Sequence, residues 1–340
     1  MTPESHALNA AVAPGASAWP TELAGPSAAA RRMRDRVREL ARQNRPVLVV
    51  APRGFDAVAV ASAIHTAAGI GGPFLTIDCA SGEPSSISQA LLGAVAAPRE
   101  RADVFETVTS GSALFRALHG TLVVTSVQDL PVSAQTRLAR MLRDGEVRVD
   151  GGARPVRLDL RLVATSDQPL DAEVRHGRFR SDLFKRLAAR QLDVPPLRDR
   201  SEDVGAIAVA LMERAASESG SGARPFTDAA VALLAALSWE GDVAELDALV
   251  RELAAAGTTE PVRVEDVLGE IGPRGLASVA SPRASLREAR RQFEREYIAA
   301  VLERSGWRMG QAARVLGMQR TNLYRKARQL GIVRRKGAQR

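Results

Sequence analysis

The sequence predicts a doubly wound parallel α/β sheet with a helical lid behind it, followed by an all-α unit that ends in a helix-turn-helix. Three observations carry this. Short β-branched runs alternate with helical stretches from Pro46 to about residue 195, the pattern of buried parallel strands with crossover helices. After Pro195-Pro196 the strands stop and Ala- and Leu-rich helices take over. Near the C-terminus a small-residue helix, a glycine and an Arg-rich helix follow one another.

In chain order, residues 1–26 are rich in Ala, Pro, Gly and Ser with no periodic apolar face, and read as a disordered lead-in. An α/β subdomain is expected over 27–195. Ser27 opens a basic helix running to about Gln43, strands are expected at Val47–Val50, Phe74–Ile77, Leu122–Val124 and Leu160–Ala164, and a helix runs from Ala57 to Ala68. A lid subdomain over 196–257 holds helices at about Asp203–Ser217, Thr227–Leu237 and Val243–Ala256. Gly, Pro and Ser between Gly269 and Pro282 place a linker over 258–284. The last unit, 285–340, starts on a capping box, Ser285 with Glu288, and on an apolar stripe of Leu286, Ala289, Phe293, Tyr297, Ile298, Val301 and Leu302, long enough to pair with a second copy.

Composition narrows the function. Cys79 is the lone cysteine, so neither a disulfide framework nor a thiolate metal site can be built, and the four His have no ligand spacing. No uninterrupted apolar stretch is long enough for a membrane helix and the N-terminus lacks signal-peptide order, which together predict a cytoplasmic protein. The net charge of +8 is localised: from Ser305 to Arg340 there are ten Lys or Arg and no Asp or Glu, so the remainder sums to −2. A polyanion partner for the C-terminus follows.

The helical pattern says which polyanion. Helices are expected at about Met309–Leu316 and Gln319–Leu330, each closed by a glycine, Gly317 and Gly331. Ala312 and Ala313 permit close approach, while Val315, Leu316, Leu323 and Ala327 pack between the helices. The second then turns Gln319, Arg320, Thr321, Asn322, Arg325, Lys326 and Arg328 outward. Arg reads guanine, Gln and Asn read adenine, and the cations beyond the helix, Arg334, Arg335 and Lys336, meet phosphates of double-stranded DNA.

The run from Gln311 to Ile332, with its Ala-Ala, Leu-Gly, Leu-Tyr-Arg-Lys and Leu-Gly-Ile elements, resembles the Fis-type helix-turn-helix of bacterial enhancer-binding proteins, the sigma-54-dependent transcriptional regulators. Gln319 stands where that family usually has a Ser or Asn cap. Residues 27–256 resemble the AAA+ domain of the same proteins, through Gln135-Thr-Arg-Leu138, Arg178-Phe-Arg-Ser-Asp-Leu-Phe-Lys-Arg-Leu187, Val194-Pro-Pro-Leu-Arg-Asp-Arg200 and Ser238-Trp-Glu-Gly-Asp-Val243. The resemblance implies an AAA+-like fold, and it puts Arg180 and Arg186 at the family's arginine-finger positions.

Against that resemblance the catalytic elements are missing. The phosphate loop reads Ala51-Pro-Arg-Gly-Phe-Asp-Ala-Val58: Ala51 replaces the first Gly, Pro52 removes an N–H, Asp56 puts a carboxylate where a Gly belongs, Ala57 replaces the Lys, and Gly54 alone survives. Thr125 and Ser126 replace the Asp for Mg²⁺ and the Glu that activates water. The lid Arg falls at Ala244, the sensor Asn or His at Asp167, and the sigma-54-touching Gly-Ala-Phe-Thr-Gly-Ala loop is absent between Gly93 and His119. The expectation is therefore a nucleoid-associated, sequence-specific DNA-binding regulator that is not an enzyme and uses no cofactor or metal. Its degenerate AAA+ domain acts, independently of sigma-54, as a scaffold for a homodimer or higher homo-oligomer or for a protein partner. The alternatives are a non-catalytic subunit of an active AAA+ regulator, or an architectural protein that coats or bends DNA. An active ATPase with an aberrant loop is disfavoured by the losses above.

Overall fold

The protein is described by a computed structural model covering residues 19–93, 105–152, 154–256, 258–279, 298, 301–302, 305–330 and 332. The chain divides into two compact units. Of the described residues, one unit holds Trp19–Leu23 and those within Arg31–Pro196, and the other holds Ala24–Ala30 and those from Leu197.

The first unit is built on a five-stranded, all-parallel sheet of order β2-β4-β7-β1-β8: β1 Val47–Val50, β2 Phe74–Asp78, β4 Thr121–Thr125, β7 Arg161–Ser166 and β8 Gln191–Asp193. Helix α1 Ala28–Ala41 precedes β1, and the crossovers carry α2 Ala57–Ala67, α3 Pro84–Leu92, α4 Ala113–Arg116, α5 Val132–Asp144, α6 Leu170–Arg175 and α7 Ser181–Leu187. Every residue of β7 is buried, as the interior of a doubly wound sheet requires. Leu48, Leu122, Val124, Leu162 and Ala164 from the strands meet Leu138 and Met141 of α5 in one aliphatic core.

Four strands of this unit were not expected. Strand β8 lies on the edge beside β1, and a small sheet joins β3 Thr107–Val108, β5 Glu146–Val149 and β6 Pro155–Arg157. One expectation is corrected: residues 19–26 are not a disordered lead-in. Thr21–Leu23 form a 3-10 turn in which Glu22 and Leu23 are buried. It is anchored by basic helix α1, where Arg34 Nη1 donates to the Leu23 carbonyl at 2.6 Å and Arg38 stacks over Trp19 at 4.8 Å.

In the second unit, α8 Val204–Ser219, α9 Asp228–Ala236 and α10 Asp242–Ala255 form the expected helical lid. The stretch expected to be a linker instead contains α11, Val264–Val279. Its glycines obscured a helix that tertiary contacts secure. Val267 is buried, and the buried Arg224 donates to the Leu253 and Glu260 carbonyls at 2.7 and 2.9 Å and pairs with Asp266 at 3.2 Å. At the other end of the sequence, Ser27 caps α1 and binds the fully buried Asp203 through N and Oγ at 2.8 and 2.6 Å.

Near the C-terminus, α12 Met309–Val315 and α13 Arg320–Gln329 are joined by a turn through Gly317, whose φ of 62° is the left-handed value glycine accepts without strain. The helix expected from Ser285 lies outside the described residues apart from Ile298, Val301 and Leu302, which pack with Ala312, Ala313, Leu323, Ala327 and Leu330. Val315 was expected in this core and is exposed at 38%, while Leu316 beside it packs inward.

Candidate functional site

In an open parallel sheet, ligands bind beyond the C-terminal ends of the strands, where the connections diverge. Here that edge is made by the loop after β1, Asp78 at the end of β2, Thr125 to Asp129 after β4 and Asp167 after β7. It brings together the residues singled out as the degenerate nucleotide loop: Ala51, Gly54, Asp56, Ala57, Thr125 and Ser126.

Asp56 is the N-cap of α2, and its Oδ1 accepts from Val58 N and Ala59 N, both at 3.0 Å. These free N–H groups are what a helix N-terminus offers an anion. The Ala57 N–H donates to the Phe55 carbonyl at 3.0 Å, Phe55 N to the Pro52 carbonyl at 3.1 Å, and the Phe55 ring is buried. Gly54 supplies a φ of 85°. The loop is thus a turn closed on itself, with the N–H groups of Phe55, Ala57, Val58 and Ala59 engaged by its own residues.

Beside it, Arg53 Nε donates to Asp167 Oδ2 at 2.5 Å and Gln128 Nε2 donates to Asp167 Oδ1 at 3.0 Å. Thr125 Oγ1 donates to Asp78 Oδ1 at 3.0 Å, and Ser126 adopts a left-handed φ of 51° without capping the turn that follows. Burial pushes the Asp129 carboxyl above its ordinary range, and Asp167 and Asp78 push it further. The edge is therefore rich in carboxylate, the wrong sign for a triphosphate. Arg53, Gln128, Asp78 and Phe55 were not singled out in the sequence, since their role rests on which strand ends become neighbours.

Arg180 and Arg186 behave differently from each other. Arg180 is the N-cap residue of α7 and grips Asp182 through Nε and Nη2 at 3.0 and 2.8 Å, a local ion pair. Among the described residues Arg186 has no ion pair, and it faces a groove with other cations. His65, His119 and His176 serve packing or the surface: His65 lies edge-on to Phe74, His119 meets Asp159, and His176 meets Arg178.

On α13, Gln319, Arg320, Thr321, Asn322, Arg325 and Arg328 are exposed and Lys326 is half-buried, while Leu323 and Ala327 face the core. Gln319 makes no side-chain cap bond, as its identity implied. Arg325 Nη2 donates to Asn322 Oδ1 at 3.3 Å, and Arg320 lies 5.9 Å from the ring of Tyr324, itself 52% exposed. Arg334, Arg335 and Lys336 lie outside the described residues.

This pairing of an AAA+ sheet and lid with a Fis helix-turn-helix defines a class of bacterial regulator, and comparison with known proteins agrees. The Sigma-54 interaction domain family matches residues 23–193, the AAA+ ATPase lid domain 198–281, and the Fis-family bacterial regulatory protein pattern 289–330. The chain belongs to the family of DNA-binding, sigma-54-dependent transcriptional regulators, whose members are AAA+ ATPases. It is 31% identical over 324 residues to the nitrogen assimilation regulatory protein NtrX of Azorhizobium caulinodans, covering 92% of this chain and 70% of that one. It is 33% identical over 235 residues to NtrC of Escherichia coli, covering 63% of this chain and 50% of that one. The crystal structure of NtrX from Brucella abortus in complex with ATP superposes with a TM-score of 0.67 at 30% identity, over 91% of this chain and 69% of that one. No helix among the described residues is long and apolar enough to cross a membrane.

Proposed function

We propose that this chain is a site-specific DNA-binding regulator whose AAA+ domain works without ATP, as a scaffold for self-association or for a protein partner, and without activating sigma-54. The observation that carries the reading is the Asp56 carboxylate seated on the first N–H groups of α2, where a bound phosphate would have to sit. With Ala57 in place of the phosphate-binding Lys, and Thr125 and Ser126 in place of the carboxylates for Mg²⁺ and water, binding and chemistry both lose their electrostatic basis. NtrX of Brucella abortus is found with ATP; the present loop offers that ligand a negative charge.

Base reading is assigned to Gln319, Arg320, Thr321, Asn322 and Arg325, and backbone contact to Lys326, Arg328, Arg334, Arg335 and Lys336. The local ion pair of Arg180 with Asp182 weakens the rival reading as a subunit that supplies arginine fingers to an active relative. The deciding experiment is calorimetric titration of the pure protein with ATP and Mg²⁺. No saturable heat is expected up to about 1 mM, and a tighter dissociation constant would overturn the ATP-independent reading.

A further inference from the structure

At the opposite end of the sheet from the degenerate loop, where β1 and β8 begin, a groove of about 590 Å³ is walled by Arg45, Lys185, Arg186 and Arg190, with Pro46, Leu142 and Ala189 as its apolar floor. No carboxylate lines it. Arg45 and Lys185 are exposed, Arg186 and Arg190 half-buried, and Arg190 is held in place by donating to Gln43 Oε1. The carboxylates that feel these cations are already engaged: Asp144 pairs with Arg143 at 2.7 Å and Glu39 with Arg36 at 2.7 Å. The helix dipole accounts for Lys185 and Arg186 in the last turn of α7. It does not account for Arg45 and Arg190, which arrive from two other segments.

Four like charges converging on one groove repel one another, and a row of anions relieves that repulsion. The lining chooses among anions. Protein–protein interfaces centre on apolar and aromatic anchors and are depleted in charged residues at their core, whereas protein–DNA interfaces are strongly positive and need no apolar centre. This groove has no aromatic residue and is ringed by cations.

We propose that the groove of Arg45, Lys185, Arg186 and Arg190 is a second, sequence-independent DNA site, binding backbone phosphates of the same duplex or a neighbouring one while the helix-turn-helix reads bases. The proposal rests on the DNA-binding reading above. Tethering in one chain raises the local concentration of DNA at the groove, so weak phosphate contacts suffice. It adds affinity and salt dependence but no sequence preference.

The test uses the full chain and a duplex several helical turns long, with affinity measured by fluorescence anisotropy across a salt series. Replacing all four residues with Gln is expected to flatten the plot of log affinity against log salt by about 0.9 for each phosphate the groove no longer neutralises, so by roughly 2 to 4 in total. Specific and random duplexes should weaken by the same factor. Lys185→Glu, a change at an exposed site that leaves the fold intact, should move the slope in the same direction. An unchanged slope in both variants would overturn the groove alone. So would a fourfold variant whose slope is unchanged but whose self-association in sedimentation velocity is abolished, because the groove would then be an interface between copies. A wild-type chain that binds no duplex at low salt would overturn the DNA reading together with the groove.

Discussion

Arg53 and Asp167 are joined by an ion pair of 2.5 Å that links the turn after β1 to the end of β7. Gln128, from the turn after β4, holds the other Asp167 oxygen, so three strand ends are tied by side chains where the family architecture would place a nucleotide. The Arg53 side chain is 89% exposed, so water and salt screen the pair and it fixes geometry more than stability. Arg53→Ala is expected to shift the thermal midpoint by no more than experimental scatter in moderate salt. Differential scanning calorimetry of this variant checks it.

Asp56 should matter more, because a cap acts on free helical donors rather than through a screened charge pair. Asp56→Ala strips the acceptor from Val58 N and Ala59 N and is expected to cost about 1 kcal/mol in denaturant unfolding. This variant is not expected to bind ATP either, since Ala57 and Thr125 stand where the Lys and the metal carboxylate would be. Urea titration with and without millimolar ATP measures both outcomes.

Asp129 gives a pH signature. Burial, then Asp167 and Asp78, raise its folded pKa above the unfolded value, with Arg53 opposing. A raised carboxyl pKa favours the folded state while the acid is protonated, and that contribution is lost as pH rises through the folded pKa. Asp129→Asn stays neutral throughout. It is therefore expected to melt above the parent at neutral pH, with the gain closing as pH falls below the ordinary carboxylate value of about 4. Melting curves at several pH values decide it, and a variant less stable at neutral pH would show that the sign is wrong.

Arg137 is a structural clamp inside the motif Gln135-Thr-Arg-Leu138. Its Nη1 donates to the Gly93 carbonyl at 3.1 Å, its Nη2 to the Thr107 carbonyl at 2.6 Å, and its Nε faces Glu106 at 3.5 Å. It thereby pins both flanks of the segment between Gly93 and Thr107. Arg137→Met leaves the buried Gly93 and Thr107 carbonyls without their donor, while Glu106 keeps Arg140 at 3.0 Å, and is expected to destabilise the protein by about 2 to 4 kcal/mol. Chemical denaturation measures it, and a near-neutral result would show that water replaces the guanidinium.

The parts legible in the sequence were those with local causes. Runs such as Val47–Val50 and Leu122–Val124 announce buried strands, and the loop substitutions at Asp56 and Ala57 are visible in one line of text. What escaped has non-local causes. Strand β8 is only three residues long and exists because β1 offers it an edge. Helix α11 contains Gly269 and is secured by Arg224, far away in sequence, while Val315 was assigned to the core by spacing and the interhelical turn leaves it outside. The tie from Arg53 to Asp167 follows from strand order, which no single segment encodes.

In a helix-turn-helix, residues at the N-terminal end of the second helix approach base edges, while cations further along and beyond it meet the backbone, and the same division is expected of α13. Arg320 and Asn322 are exposed in the first turn of α13, and Arg320 rests 5.9 Å from the Tyr324 ring, which limits the orientations its guanidinium samples. Arg320→Ala is expected to cost about 1 to 3 kcal/mol on the specific site and little on random DNA. Tyr324→Ala should lose a smaller share of the same discrimination, because it frees Arg320 without removing it. Neutralising Arg334, Arg335 and Lys336 together should weaken both kinds of DNA alike and lower the salt slope by about 0.9 for each phosphate left without its cation. Anisotropy titrations on operator and scrambled duplexes at several salt concentrations separate these effects. If Arg320→Ala weakened both duplexes equally, Arg320 would be a backbone contact, and a protein that coats DNA would describe the chain better than one that selects sites.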